Sequence, residues 1–399
     1  METWRRNLFA MWFAQATGMS TLSFIMSFIP LYVVHLGVKN PAAAARWAGL
    51  LMGTSAFFAT FFGPLWGSLA DRIGRKPMVE RVLISNSVIT LLMAFAGNVY
   101  VFFFLRVIQG MLGGFYSAAI ALVTSFTPPE KTGFALGLFQ TAMTAGYTLG
   151  PLIGGVLADR VGFRNTFLIM ACFSLTAFFI VHFLVQENFR PSASHREPLL
   201  QSLRRTLQIP GLLPVLLVNF GVQFSLMAIG PIIPLFIKEL GTGSSYLASF
   251  SGLVIAVGGL CGSLSALIAG NLSDRFPAKR VMAILVTGGT VAFVLQGLAQ
   301  SPWQLLLFRG LTGLFMGGMI PAANTLINTM IPRDRKGSAF GLTTSFSLLG
   351  NVLGPVCGGL LASATGFRGV FLIIAALTGT LSLWLHTAGR KILPGRLSN

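Results

Sequence analysis

The second half of this chain repeats the first. Gly67-Ser68-Leu69-Ala70-Asp71-Arg72-Ile73-Gly74-Arg75-Lys76 returns as Gly270-Asn271-Leu272-Ser273-Asp274-Arg275 (270 − 67 = 203), and Arg106 with Gly110 returns as Arg309 with Gly313 at the same offset. Farther along the offset becomes 204: Pro128 to Gly133 is echoed by Pro332 to Gly337, Gly150-Pro151 by Gly354-Pro355 (354 − 150 = 204), and Gly162-Phe163-Arg164 by Gly366-Phe367-Arg368. The chain is also 54% hydrophobic and only 10% charged. A duplicated half-chain of that composition points to a two-halved membrane transporter whose substrate site lies where the halves meet.

So little polar surface cannot cover a soluble globule of this size, so the chain is expected to live in the lipid bilayer. Stretches long enough to cross a bilayer recur near residues 8–34, 48–70, 79–97, 100–125, 134–158, 164–185, 212–237, 247–270, 281–299, 303–326, 338–362 and 367–387, about twelve all-α spans. The one long polar stretch, 186–210, separates a first half at 1–185 from a second at 211–399 and reads as a linker. Within it, Leu199 to Leu207 has the spacing of a surface helix or is a plain tether.

A net charge of +18 would suit a nucleic-acid partner, but the basic residues sit in short loops, so none is expected. Alternate loops and tails hold Arg5, Arg6, Arg72, Arg75, Lys76, Arg81, Lys131 and their like, against Lys39, Arg46, Arg160, Arg164, Lys238 and Arg368 on the other side. That bias places both termini in the cytoplasm. The basic start and long apolar run carry no small-residue cleavage site, so the segment is expected to stay as the first span. Cys172, Cys261 and Cys357 fall inside spans without ligand spacing. With no metal cluster, nucleotide loop or nucleophile–base pair in the sequence, no metal, no cofactor and no enzyme activity are expected.

Gly146, Gly150 and Gly154, and again Gly350, Gly354 and Gly358, recur every fourth residue, with Pro151 and Pro355 inside the rows. Such rows let another helix approach closely, as plain packing or as a surface about which the halves move, and each proline favours a bend. Arg106 and Arg309 lie within the fourth and tenth spans, where an unpaired arginine costs at least ~2.5–3.5 kcal/mol. Each therefore faces a partner or a watery cavity, or else snorkels to the interface. None of the ten acidic residues falls in mid-membrane. Asp71 and Asp274, at the inner ends of the second and eighth spans, are the nearest candidates for a titrating group, through a neighbouring helix terminus. His182 and His386 are isolated and read as packing or interfacial residues.

On these residues the chain resembles the major facilitator superfamily along essentially its full length. Gly67 to Lys76 is similar to the superfamily's signature loop, Leu105-Arg106 through Gln109-Gly110 to the fourth-span motif of its drug:proton antiporters, and Gly146 through Pro151 to Gly155 to their fifth-span motif. Trp4 to Leu8 and Pro30 to Val33 extend the resemblance to the MdtG-like branch of bacterial multidrug efflux proteins. The resemblance implies the major facilitator fold, with twelve transmembrane helices in two pseudo-symmetric six-helix bundles that rock about a cavity lined by spans one, four, seven and ten. It implies gating or coupling roles for Gly67, Asp71, Arg72, Gly74, Arg75, Arg106, Gly110, Gly150, Pro151, Gly154, Asp274 and Arg309. Pro277 and Ala278 break the second copy of the loop motif, which makes Asp274 the weaker gate.

On that assignment the cavity draws on Gln15, Met19, Ser23 and Met26 from span one, and on Gln109 and Tyr116 from span four. Gln140 and Tyr147 join from span five, Asn219, Gln223 and Met227 from span seven, and Met316 and Asn324 from span ten; many of these could equally serve helix packing. Methionine-rich surfaces repack around varied shapes. The expected protein is a monomeric, multi-pass exporter of small amphiphiles in the bacterial inner membrane, coupled to protons and working by alternating access. A lipid or lysolipid translocator of the same fold is the alternative; a transport-dead sensor or scaffold is the alternative of another class.

Overall fold

The computed structural model describes residues 3–187, 207, 209, 211–241, 246–331 and 336–387, apart from the side chains of Asp71, Tyr116, Ser117 and Asp274. The expected linker at 186–210 lies outside the described residues except for Gln186, Glu187, Leu207 and Ile209. Among the described residues every regular element is helical.

Twelve spans emerge from these helices, and four of them are broken. The first consists of Thr3–Ser23, the 3₁₀ turn Phe24–Ser27 and Ile29–His35. The fourth consists of Val99–Met111 and Phe115–Phe126, the seventh of Leu212–Ala228 and Ile233–Glu239, and the tenth of Pro302–Met316 and Met319–Met330. Pro41–Ile73, Arg75–Met93, Leu247–Arg275 and Ala278–Leu298 are the second, third, eighth and ninth. Thr132–Leu184 carries spans five and six, turning at Gly162, and Lys336–Thr387 carries eleven and twelve, turning at Gly366; both glycines have positive φ (81° and 72°), which a side chain would oppose. By length and hydropathy alone, seven described helices could cross a membrane, or eight with the bent seventh span. Two of the seven are double spans, the broken fourth span is too short in each piece, and the third starts with Arg75, Lys76, Glu80 and Arg81.

Local chemistry sets the starts. Asn40 Oδ1 accepts from the Ala42 and Ala43 amides at 2.9 and 3.2 Å, with Pro41 opening the second span. Asn98 caps the fourth span through Tyr100 and Val101, and Ser301, its counterpart 203 residues on (301 − 98 = 203), caps the tenth through Gln304.

The chain divides into two compact units, Met1–Ser194 with Thr242–Ala256, and His195–Gly241 with Val257–Asn399. The start of the Leu247–Arg275 helix, as far as Ala256, belongs to the first unit. There the Asp159 carboxylate accepts from the Ala248 and Ser249 amides at 3.2 and 2.6 Å.

Duplication extends to individual contacts. A Cβ at Gly110 would fall 2.5 Å from the Ser55 carbonyl oxygen, and one at Gly313 would strike the carbonyl of Gly258, 203 residues after Ser55 (258 − 55 = 203). Gly146, Gly150 and Gly154 sit on Ala16, Ser20 and Phe24; Gly350, Gly354 and Gly358 sit on Phe220, Phe224 and Ala228, each 204 residues later (220 − 16 = 204). The glycine rows thus pack the fifth span on the first and the eleventh on the seventh, each inside one unit. Gly37 and Gly241, which follow the first and seventh spans, share positive φ and the same offset of 204 (241 − 37 = 204).

Candidate functional site

A guanidinium inside the bilayer needs acceptors, and Arg106 finds them in its own unit. It is 6% exposed. Nε donates to the Leu51 carbonyl of the second span at 3.2 Å and NH1 to Gln109 Oε1 at 2.6 Å, while Gln109 Nε2 donates to Asn86 Oδ1 of the third span at 2.7 Å. One positive charge is thereby held by a carbonyl and an amide chain across three spans, with no carboxylate among these partners. The equivalent positions of the second unit are built from different side chains. Arg309 is half-buried against Gly258, and Thr312, at the position of Gln109 (312 − 109 = 203), accepts from Gln296 Nε2 of the ninth span at 2.5 Å.

Two residues missed in the sequence secure the break in the fourth span. Where the helix stops at Met111, its last carbonyls lose their helical donors. The Trp66 indole donates to the Met111 carbonyl at 2.7 Å, and Arg81 NH2 donates to the Gly113 carbonyl at 2.9 Å. Gly114 follows with φ of 100°. Arg81 also lies 3.5 Å from the Trp66 ring centre, a cation–π contact. Arg81 counts among the loop charges in sequence; only the exposed carbonyls of a broken helix reveal its use. Beside it, Phe62, Leu65, Trp66, Ser68, Leu69 and Arg72 line an open groove of about 330 Å³.

The signature loop turns at Gly74, whose φ is 107°. The carboxylate of Glu187 caps the third span there, accepting from the Arg75 amide at 3.0 Å and the Lys76 amide at 2.8 Å. Asn7 and Gln186 exchange two hydrogen bonds alongside, at 3.0 and 3.4 Å. Gly67 has nothing within reach of a Cβ, and Arg72 is exposed. The Asp71 and Asp274 side chains, expected to gate, lie outside the description.

The expected cavity residues divide by what they touch. Ser23 is buried and donates to the Gly146 carbonyl at 3.1 Å; Met19 also lies against Gly146, and Met26 is partly exposed. Gln15 is fully buried with neither amide atom hydrogen-bonded. Gln109 is committed to Arg106 and Asn86. Gln140 and Tyr147 are exposed, while the Tyr116 side chain is outside the description. In the second unit Asn219 donates to Ser347 Oγ at 2.7 Å and Gln223 to Asn351 Oδ1 at 2.6 Å. Met227 lies against Gly354, Met316 is 1% exposed against Gly289, and Asn324 is partly exposed. Among the described residues no three His, Cys, Asp or Glu side chains gather as a metal site would require.

The family profile described as the Major Facilitator Superfamily matches residues 9–258 and 215–394. The chain is 35% identical over 375 residues to the multidrug resistance protein MdtG of Salmonella arizonae, covering 94% of this chain and 93% of that protein, and MdtG of Salmonella typhimurium matches equally. Among solved structures, a bacterial homolog of the human lysosomal transporter Spinster, inward-facing and unoccupied, superimposes with a TM-score of 0.82 at 17% identity, covering 100% of this chain and 99% of that one. A D-xylose-proton symporter gives 0.73 at 16% identity, covering 98% and 97%. At such identities these structures establish the twelve-helix fold and nothing finer.

Proposed function

Because the chain belongs to the Major Facilitator Superfamily, we propose that this transporter is a multidrug exporter of the bacterial inner membrane, moving amphiphilic compounds outward by alternating access in exchange for protons. The observation that carries the reading is the full-length likeness to multidrug resistance proteins at 35% identity. The geometry of the first unit agrees with it. An exporter of amphiphiles works with apolar surface and few fixed charges, and buried Arg106 meets neutral groups, the Leu51 carbonyl and the Gln109 amide.

In this reading the protein acts as a monomer in the lipid bilayer with both termini in the cytoplasm. The positive-inside bias of its loops supports that orientation. Protons act through a group near the ends of the spans, and Asp71 in the signature loop is the leading candidate. Its charge would favour one conformation, and protonation would weaken that preference.

Purified protein in liposomes with an imposed pH gradient tests the proposal, with drugs and labelled lysolipid offered separately. Gradient-driven drug export is expected, and Asp71→Asn should export with much less dependence on the gradient. Movement of lysolipid alone would favour the translocator instead, and a wild-type gradient response in Asp71→Asn would remove Asp71 from the coupling.

A further inference from the structure

The two units treat one equivalent position differently. Asn219 of the seventh span donates to the Thr343 carbonyl at 3.3 Å and to Ser347 Oγ at 2.7 Å. Its counterpart in the first span is Gln15 (219 − 15 = 204), which is 0% exposed, and neither its Nε2 nor its Oε1 has a hydrogen-bond partner. The backbones correspond here, since Gly146 rests on Ala16 and Ser20 just as Gly350 rests on Phe220 and Phe224. What differs is the fifth span. The positions of Thr343 and Ser347 are taken by Phe139 and Met143 (343 − 139 = 204), so the hydroxyl that satisfies Asn219 has no equivalent.

A buried amide left without partners is costly, and native chains satisfy nearly all such groups. Exceptions concentrate where function requires them. We infer that Gln15 is the hydrogen-bonding point for an uncharged polar group, a hydroxyl or carboxamide, on an amphiphilic transported molecule. The inference rests on the exporter reading and deepens it. A primary amide offers a donor and an acceptor together, which a hydroxyl or carboxamide can match in one contact. Met19, one turn along the same helix face, is partly exposed and flexible.

Two variants and one matched ligand pair test this in the purified full-length protein. Gln15→Met keeps the volume and removes the unpaired atoms, so its ligand-free unfolding midpoint should rise by about 2–4 °C. Met143→Ser supplies the hydroxyl that Ser347 gives Asn219 and should also raise the midpoint. The ligands are deoxycholate and its hydroxyl-free parent 5β-cholanate, which share an apolar body and a carboxylate. Wild type should bind deoxycholate the more tightly; both variants should lose about tenfold of that affinity and little of the affinity for cholanate. A lower midpoint in Gln15→Met shows that the amide has a partner in the ligand-free protein and overturns the inference, as does unchanged deoxycholate affinity in both variants. A wild type that neither binds nor exports either acid removes the exporter reading for this class and the ligand assignment with it. The ligand-free midpoint of Gln15→Met then separates that failure from a misplaced Gln15.

Discussion

Arg81 lies over the Trp66 ring at 3.5 Å while its NH2 donates to the Gly113 carbonyl, so one side chain holds a second-span aromatic and a fourth-span break together. Arg81→Ala should cost about 2–4 kcal/mol, the combined scale of a cation–π contact and a charged hydrogen bond. Trp66→Phe keeps a ring for the cation but loses the indole donor to Met111, and should cost about 1 kcal/mol. Thermal unfolding of the purified variants checks both, and a loss in Trp66→Phe as large as that in Arg81→Ala would mean that the indole bond to the Met111 carbonyl, rather than the cation over the ring, carries the junction.

Gln109 serves two neighbours at once, accepting from Arg106 and donating to Asn86. Gln109→Leu should therefore cost about 1–3 kcal/mol by leaving buried polar groups unpaired. Asn86→Leu in the same background should cost less than it does alone, with a coupling of about 0.5–3 kcal/mol. A double-mutant cycle on unfolding free energy measures it, and strict additivity would show that the two amides do not act together.

Gly150 meets Ser20 and Ser23 of the first span, with a Cβ there 2.9 Å from the Ser20 carbonyl oxygen. Gly150→Leu should thus reduce the folded yield before any effect on transport is read. Gly137→Ala, in the same helix with open space around it, should leave yield and transport near wild type. Size-exclusion profiles of equal membrane preparations distinguish this from a sliding surface, for which Gly150→Leu would fold well and fail only in transport.

The charge of Arg106 is met by a carbonyl and an amide rather than a carboxylate. Neutral, zwitterionic and anionic amphiphiles should accordingly be exported in preference to permanent cations, since a desolvated cation gains no counter-charge from these groups. Efflux of a quaternary ammonium dye measured beside that of a bile salt is the comparison, and strong export of the dye alone would refute the preference.

Much of this architecture was legible in the sequence because duplication and apolar length are written along the chain: the span positions, the glycine rows and the arginine pair are all visible there. The uses of Trp66, Arg81 and Glu187 were not, since each answers a backbone group that becomes available only when a helix ends in three dimensions. Gln109 shows the same gap from the other side. Its place beside Arg106 on one helix face was readable, but its turn inward to Asn86 depends on how the third span lies against the fourth. The isolation of Gln15 is a property of the packed structure, and its trace in the sequence is that Phe139 and Met143 stand where the second half has Thr343 and Ser347.

The offset between equivalent residues is 204 at Gly37 and Gly241 (241 − 37 = 204), 203 from Ser55 and Gly258 through Gly110 and Gly313 (313 − 110 = 203), and 204 again from Pro128 and Pro332 (332 − 128 = 204). One residue has been lost and one gained since the halves diverged. An added residue within a helix would swing everything beyond it by about 100°, carrying Gly110 off Ser55 or Gly150 off Ser20. Evolution could therefore edit chain length only outside the stretches where these contacts keep register, and an engineer inserting a tag or probe faces the same restriction.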